Sequence, residues 1–291
     1  MTTAAVFPGM SSFTGVIVCA DDFAVHQSAS LGIAKLARMG RISATSAMVL
    51  SPRWAQDVAL LHELRGQIDV GLHLDWTSDF AVAAGHGLSL GQAMRRALLG
   101  GFDVTLTRGV IERQLDLFEA RWKAPPDFVD GHQHVQQFAG IRQALVALLQ
   151  QRYGTQVAPP YLRISRAPPG LNNLKSLVIA WMGANALESI AVKSCIKRSR
   201  GLFGIYDFEG GSARYAALMA RWLPCAPTGS VLMCHPAQAA EPVDKIGVAR
   251  VQEFAYLSSN EFAAEIALAK VKLVRGEQVL NPKPDEPEPN K

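Results

Sequence analysis

Short apolar runs that each stop on an aspartate or a histidine constrain this chain more than any other feature. Residues 16–20 (Val-Ile-Val-Cys-Ala) run into Asp21 and Asp22, and residues 68–72 run into His73. Phe128-Val129 leads to Asp130-Gly131-His132, and residues 231–234 end at His235. Runs of this length, bounded by polar residues, are the pattern of buried strands. Patterns of helical period lie between them, at 28–39, 53–64, 88–99, 107–122 and 140–152, with further strands at 44–50 and 161–165. Helices alternating with short β-rich runs predict an α/β fold of βα units with parallel strands. Sites in such folds gather at the carboxyl ends of the strands, where Asp21, Asp22, His73, Asp130, His132 and His235 all fall.

A chain of 291 residues can bury a core the size of a single α/β barrel. We expect one catalytic domain over 15–278, a flexible N-terminus over 1–14 and a disordered tail over 279–291, the last from its proline-rich, charged composition. A net charge of +4 demands no nucleic-acid partner. Cys19, Cys195, Cys225 and Cys234 lack paired spacing, which favours free thiols and a reducing compartment. The first 14 residues lack a basic region followed by a long apolar stretch, so no signal peptide is expected. The most apolar helix candidate, 177–187, falls short of the ~20 residues that span a bilayer. The expectation is a soluble, cytoplasmic protein, at most peripheral to a membrane. Residues 80–88, rich in small side chains, are expected to form a loop over the site.

The strand-end residues carry the chemistry. Neighbouring side chains on an extended backbone point to opposite sides, so one carboxylate of the Asp21-Asp22 pair can bind a metal while the other serves as a base. A surface turn or a helix cap is the better explanation of the pair when it stands alone. His73 by itself is a satisfied core residue; beside Asp22 and His132 at matching strand ends it becomes a ligand candidate. One oxygen and two nitrogens form a facial set with positions open for water and substrate. Such a set suits one divalent ion; its nitrogens lean toward zinc, whereas magnesium prefers oxygens. His134 shares a face with His132 and is a candidate for substrate contact or for support of the ligands. His235, before Pro236, is a general acid or a strand cap. His26 lies in the turn after Asp22, His62 fits an ordinary surface position, and His86 between glycines is undecided.

Four motifs in order, Cys19-Ala20-Asp21-Asp22-Phe23, Gly71-Leu72-His73-Leu74, Asp130-Gly131-His132-Gln133-His134-Val135 and Met233-Cys234-His235-Pro236, resemble the YdjC-like (ChbG/HpnK) carbohydrate deacetylase family. Together they span most of the chain. The resemblance implies a single-domain distorted (β/α) barrel and hydrolysis of an N-acetyl group on an amino sugar, free or lipid-linked. It also implies that Asp22, His73 and His132 bind the metal, that Asp21 is the general base, and that His235, as imidazolium, protonates the departing amine. Two departures stand out. Ala24 occupies a turn position where the family usually has glycine, and Gln133 and Gln136 replace imidazoles. These bear on substrate range more than on metal binding. Other metallohydrolases, phosphoesterases among them, use similar strand ends, and a sugar-binding protein with a degenerate site is a third reading.

Residues 163–200 are basic and apolar, with Arg163, Arg166, Lys175, Lys193, Lys197, Arg198 and Arg200 against the single acid Glu188. This stretch suits peripheral contact with an anionic membrane, or a core helix followed by a solvated basic loop. Arg163, in the strand 161–165, is a candidate for substrate hydroxyls or a phosphate, or for a structural salt bridge. The sequence leaves the oligomeric state open, a homodimer included.

Overall fold

The computed structural model describes residues 13–168, 170–171 and 173–280. Among the described residues, eight strands and twelve α-helices follow one another. They are β1 (Thr14–Phe23), α1 (Gln27–Arg38), β2 (Ala44–Ala47), α2 (Trp54–Asp57), α3 (Ala59–His62) and β3 (Asp69–Leu74). Next come α4 (Asp79–Ala83), α5 (Leu90–Leu98), α6 (Val104–Trp122), β4 (Phe128–Gly131), α7 (Ile141–Tyr153) and β5 (Tyr161–Leu162). The remainder is α8 (Leu174–Trp181), α9 (Ala184–Lys193), β6 (Leu202–Phe203), α10 (Gly211–Trp222), β7 (Ser230–Cys234), α11 (Gly247–Leu257), α12 (Asn260–Leu268) and β8 (Val271–Leu273).

The strands form one parallel sheet in the order β5-β4-β3-β2-β1-β7-β6, with β8 paired to the start of β1. The sheet curls until its ends meet. Leu162 of β5 bridges to Arg198: its N–H donates to Lys197 O (2.9 Å), and Ser199 N–H donates back to Leu162 O (3.0 Å). This irregular segment leads into β6, so the architecture is the distorted (β/α) barrel that the sequence resemblance implies.

Alternation along β1 sorts its side chains between two cores. Val16, Val18 and Ala20 pack with the surrounding helices, whereas Ile17 and Cys19 join Ala44, Phe128, Tyr161, Leu202, Val231 and Met233 inside the barrel. The interior is filled, as in other α/β barrels. Gly71 on β3 belongs to that filling, because a Cβ there would lie 2.5 Å from the Phe128 ring.

Several local expectations are corrected. Residues 80–88 are not a plain loop: α4 begins at Asp79, where the Ser78 hydroxyl accepts from the N–H groups of Phe80 and Ala81. The helix expected over 177–187 breaks at Gly183, whose φ of 134° no L-residue adopts comfortably. The strands expected at 44–50 and 161–165 stop at Ala47 and Leu162. The helix expected over 53–64 divides into α2 and α3. Thr14 already belongs to β1, and Leu280, 7 % exposed, packs into the barrel interior. Of the expected flexible ends, residues 1–12 and 281–291 lie outside the described residues. Among the described residues no helix is long and apolar enough to cross a membrane. The four cysteines are free, with Cys19 and Cys234 buried.

Candidate active site

The carboxyl ends of β1, β3, β4 and β7 meet at one mouth. Asp21 and Asp22 arrive on β1, which turns sharply: Asp22 and Ala24 have φ of 65° and 71°. Two more residues of this kind, Gln133 (52°) and His134 (63°), follow His132 in a 3-10 turn after β4. Left-handed conformations cost residues with a Cβ about 1–2 kcal/mol each. Among them, Asp22 and His134 carry buried polar side chains at the mouth.

Asp22 Oδ1 lies 3.3 Å from His73 Nε2 and 3.3 Å from His132 Nδ1. One ligand atom from each of the three residues falls within 4.8 Å of the others. His73 is 2 % exposed and His132 is half-buried. The far side of His73 is fixed: Nδ1 lies 2.6 Å from Asp130 Oδ1 and 3.1 Å from Ser46 Oγ. A proton on Nδ1 donated to Asp130 leaves the Nε2 lone pair facing Asp22, the arrangement that orients metal-binding histidines. Burial by itself would lower the His73 pKa, but Asp130, Asp22 and Asp21 raise it to about 10. That pocket favours a cation, and one carboxylate oxygen with two imidazole nitrogens fits a divalent metal ion.

Asp21 stands apart from this set. Arg163 Nη1 donates to its Oδ1 at 2.6 Å, Ser46 Oγ at 3.3 Å and Cys19 Sγ at 3.4 Å. Burial would raise its pKa, but Arg163 and His73 bring it down to about 2. Arg163 also lies 2.9 Å from Asp130 Oδ2. It is 1 % exposed, so its guanidinium fills the space between two carboxylates and faces inward. The grouping of Cys19, Asp21 and Asp130 therefore already holds its cation.

His235 and His134 complete the wall, each 9 % exposed, each with a buried Nδ1 that has no hydrogen-bond partner. Burial lowers the His235 pKa to about 4 against the pull of Asp22 and Asp21. Burial, then Arg163, also holds His134 well below the usual imidazole range. Burial thus disfavours the charged form of both rings. Phe208 packs edge-on against the His235 ring at 5.2 Å. Gln136 turns inward, donating to Arg163 O (3.2 Å) and Ser165 Oγ (3.0 Å), while Gln133 is exposed. His26 caps α1 through Nδ1, and His86 Nε2 lies 3.1 Å from Asp75 O, so both act structurally.

Helix α11 supplies two residues that strand-end reasoning missed. Arg250 Nη2 donates to Asp22 Oδ2 at 2.7 Å, and its Nε donates to Asp244 Oδ2 at 2.6 Å. Asp244 in turn meets His26 Nε2 at 3.2 Å. Burial would raise the Asp22 pKa, yet Arg250 and hydrogen bonds to His132 and His73 hold it well below the carboxylate range. One turn on, Glu253 accepts from the His235 backbone N–H and from Tyr206 Oη (2.6 Å). Residues 249, 250, 253, 256 and 257 form the buried stripe of α11. Two charged residues on an apolar helical stripe were the available signal.

A family model for YdjC-like proteins matches residues 15–267. Chitooligosaccharide deacetylases of Enterobacter sp. (strain 638) and Yersinia pestis (strain Pestoides F) are 31% identical over 165 residues and 30% identical over 146 residues. These matches cover 53% and 47% of this chain, and span 65% and 56% of those relatives' own lengths. Among solved structures, a provisionally named cellobiose-phosphate cleavage protein of Enterococcus faecalis V583 superposes with a TM-score of 0.66 at 18% identity, covering 92% of this chain and 99% of that one. An uncharacterised protein of Agrobacterium tumefaciens C58 gives 0.52 at 11% identity, covering 94% and 92%. At these identities the likeness is one of fold. The family match contains all four strand-end motifs and runs from the first strand into α12, and by that measure the chain belongs to the YdjC-like family.

Proposed function

We propose that the protein hydrolyses the N-acetyl group of an amino sugar, free in an oligosaccharide or carried on a lipid, with the help of one divalent ion. The observation that carries this is the Asp22, His73 and His132 donor set with a separately held carboxylate, Asp21, beside it. Two relatives at about the 30% level named as chitooligosaccharide deacetylases support the substrate class. The nitrogen-rich donor set favours zinc over magnesium. When bound, the ion supplies Lewis acidity that makes water a stronger acid and polarises the acetyl carbonyl.

The chain's own residues do the rest. Asp21 is the base, and because Arg163, Ser46 and Cys19 converge on Oδ1, Oδ2 is the oxygen that takes the proton of the attacking water. Arg163 positions Asp21. The proton is held weakly, since Arg163 favours the carboxylate, and it passes on to the leaving nitrogen. His235 begins neutral and acts as relay, accepting and returning that proton during the reaction. His134 meets the sugar. Four free thiols support a cytoplasmic setting.

The test is acetate release from chitooligosaccharides after chelation, and again after zinc or magnesium is restored. Activity that disappears with the chelator and returns with the ion is the expected result. Phosphate release from sugar phosphates, with no acetate from any N-acetylated saccharide, would replace this reading with a phosphoesterase.

A further inference from the structure

Helix α8 runs along the rim of the mouth with an apolar face turned outward. Its start is tied to the segment after β6, where Asn173 Nδ2 donates to Ile205 O (3.0 Å) and Lys175 Nζ to Tyr206 O (2.8 Å). Its end is tied to the turn that carries His132 and His134, where Gln137 Nε2 donates to Ile179 O. Gly183 packs so closely there that a Cβ would lie 2.3 Å from Gln137 O. Ile179 points down onto the barrel interior and Ser176 is buried. On the opposite face Leu174, Leu177, Val178 and Trp181 recur at i, i+3, i+4 and i+7, and are 80%, 51%, 40% and 68% exposed. A groove of about 390 Å³ beside Trp181 joins this face to Leu98 at the end of α5, itself 55% exposed.

An apolar stripe at helical spacing on the solvent side is the reverse of what a surface helix needs for stability. Its surroundings indicate the partner. Helices α5 and α8 carry Arg95, Arg96 and Lys175 and no carboxylate, and Arg142 lines the groove. Three arginines of the 163–200 stretch are engaged elsewhere: Arg163 is buried in the site, and Arg166 and Arg198 both bind Glu188. A net-basic rim around an apolar stripe, its carboxylate Asp207 near Lys175 already paired with Arg214, complements an anionic headgroup layer better than a second copy of itself. Tryptophan favours the level at which such a helix rests.

We infer that α8, with the adjoining end of α5, docks the protein on an anionic lipid surface, its stripe lying at headgroup depth. Lys175 lies 4.5 Å over the Phe208 ring, which packs on His235, so the docking face continues into the wall of the mouth. The inference goes beyond the hydrolytic reading, and its test needs no turnover.

The full chain is floated with vesicles of phosphatidylcholine alone, or of phosphatidylcholine with phosphatidylglycerol. Binding to the anionic vesicles is expected, weakened several-fold in high salt. Tryptophan emission should shift to the blue. Trp54, Trp76, Trp122 and Trp222 are at most 6% exposed, so the shift reports Trp181. Combining Leu177→Ser with Trp181→Ser should weaken binding about tenfold or more, while acetate release from a soluble chitooligosaccharide is unchanged. Trp181→Phe should bind and lose the shift. Failure of the wild type to float with anionic vesicles overturns the inference, as does a double variant that floats equally well. A dimer that the double variant dissolves, without vesicle binding, assigns the face to a second copy instead.

Discussion

The two ends of the barrel both bury carboxyl groups and treat them in opposite ways. At the floor, Asp69 is 2 % exposed; its Oδ2 accepts from Gly276 N (2.6 Å) and Tyr161 Oη (3.1 Å). Burial, reinforced by nearby Asp127, pushes its pKa up to about 7. At the mouth, Asp21 and Asp22 are as deeply buried, yet Asp21 falls to about 2 and Asp22 also lies low. The difference is two buried arginines, Arg163 and Arg250, 1% and 3% exposed. Burying several charges together is a poor way to gain stability, because desolvation offsets much of the attraction. The floor meets its hydrogen-bonding needs without that arrangement. Charges kept ionised at the mouth therefore point to chemistry.

The largest effects test that contrast directly. Asp21→Asn should retain the divalent ion and lose roughly 10²–10⁴-fold in turnover, the usual contribution of a positioned base. His132→Ala should keep its fold, because His132 is only half-buried, and lose both ion and activity. Metal analysis of the two purified variants separates these outcomes; an active Asp21→Asn would remove the base assignment. Arg163→Met leaves Asp21 and Asp130 buried without their cation and should cost about 3–5 kcal/mol in chemical denaturation. An unchanged midpoint would mean that Arg163 does not set the mouth apart from the floor.

A smaller effect is expected at Arg250. Its bond to Asp22 Oδ2 leaves Oδ1 as the oxygen presented to His73 and His132. Arg250→Gln should lower affinity for zinc about 10–100-fold in calorimetry, as loss of a partner behind a metal ligand does elsewhere. Equal affinity in the variant and the wild type would show that Asp22 needs no such support.

The sequence exposed the strand ends because each apolar run is short and stops on a titratable residue, a pattern set by local burial. It exposed Asp22, His73 and His132 as a group for the same reason, and the structure brings them together. Arg163 was visible on its strand, but its partners Asp21 and Asp130 come from distant strands, so its inward role was not. Arg250 and Glu253 lie on a helix with no motif, more than 200 residues from Asp22 in the case of Arg250. Barrel closure through 197–199 escaped because that segment makes irregular bridges instead of a strand. The left-handed turn at Asp22 was hinted at only by Ala24, where the resemblance leads one to expect glycine. Its φ of 71° explains why glycine suits that position.

The floor offers the last and smallest test. An unfolded aspartate titrates near ~3.9, whereas folded Asp69 holds its proton to about 7. Between those values the folded state binds a proton that the unfolded state has released, so stability falls as pH rises and levels off above pH 7. Asp127 and Glu253 are also raised by burial and contribute with the same sign, while Arg275 near Asp69 opposes it. Asn at position 69 can accept from Gly276 N and Tyr161 Oη as Asp does, without a charge to bury. Asp69→Asn should therefore lose at least about 1 kcal/mol less than the wild type between pH 5 and pH 8, read from urea midpoints. Acetate release should be unaffected, since Asp69 lies at the opposite end of the barrel from His73. An Asp69→Asn variant whose midpoint changes with pH over that interval just as the wild type's does would show that the floor carboxyl is ionised after all, and the two ends of the barrel would no longer differ.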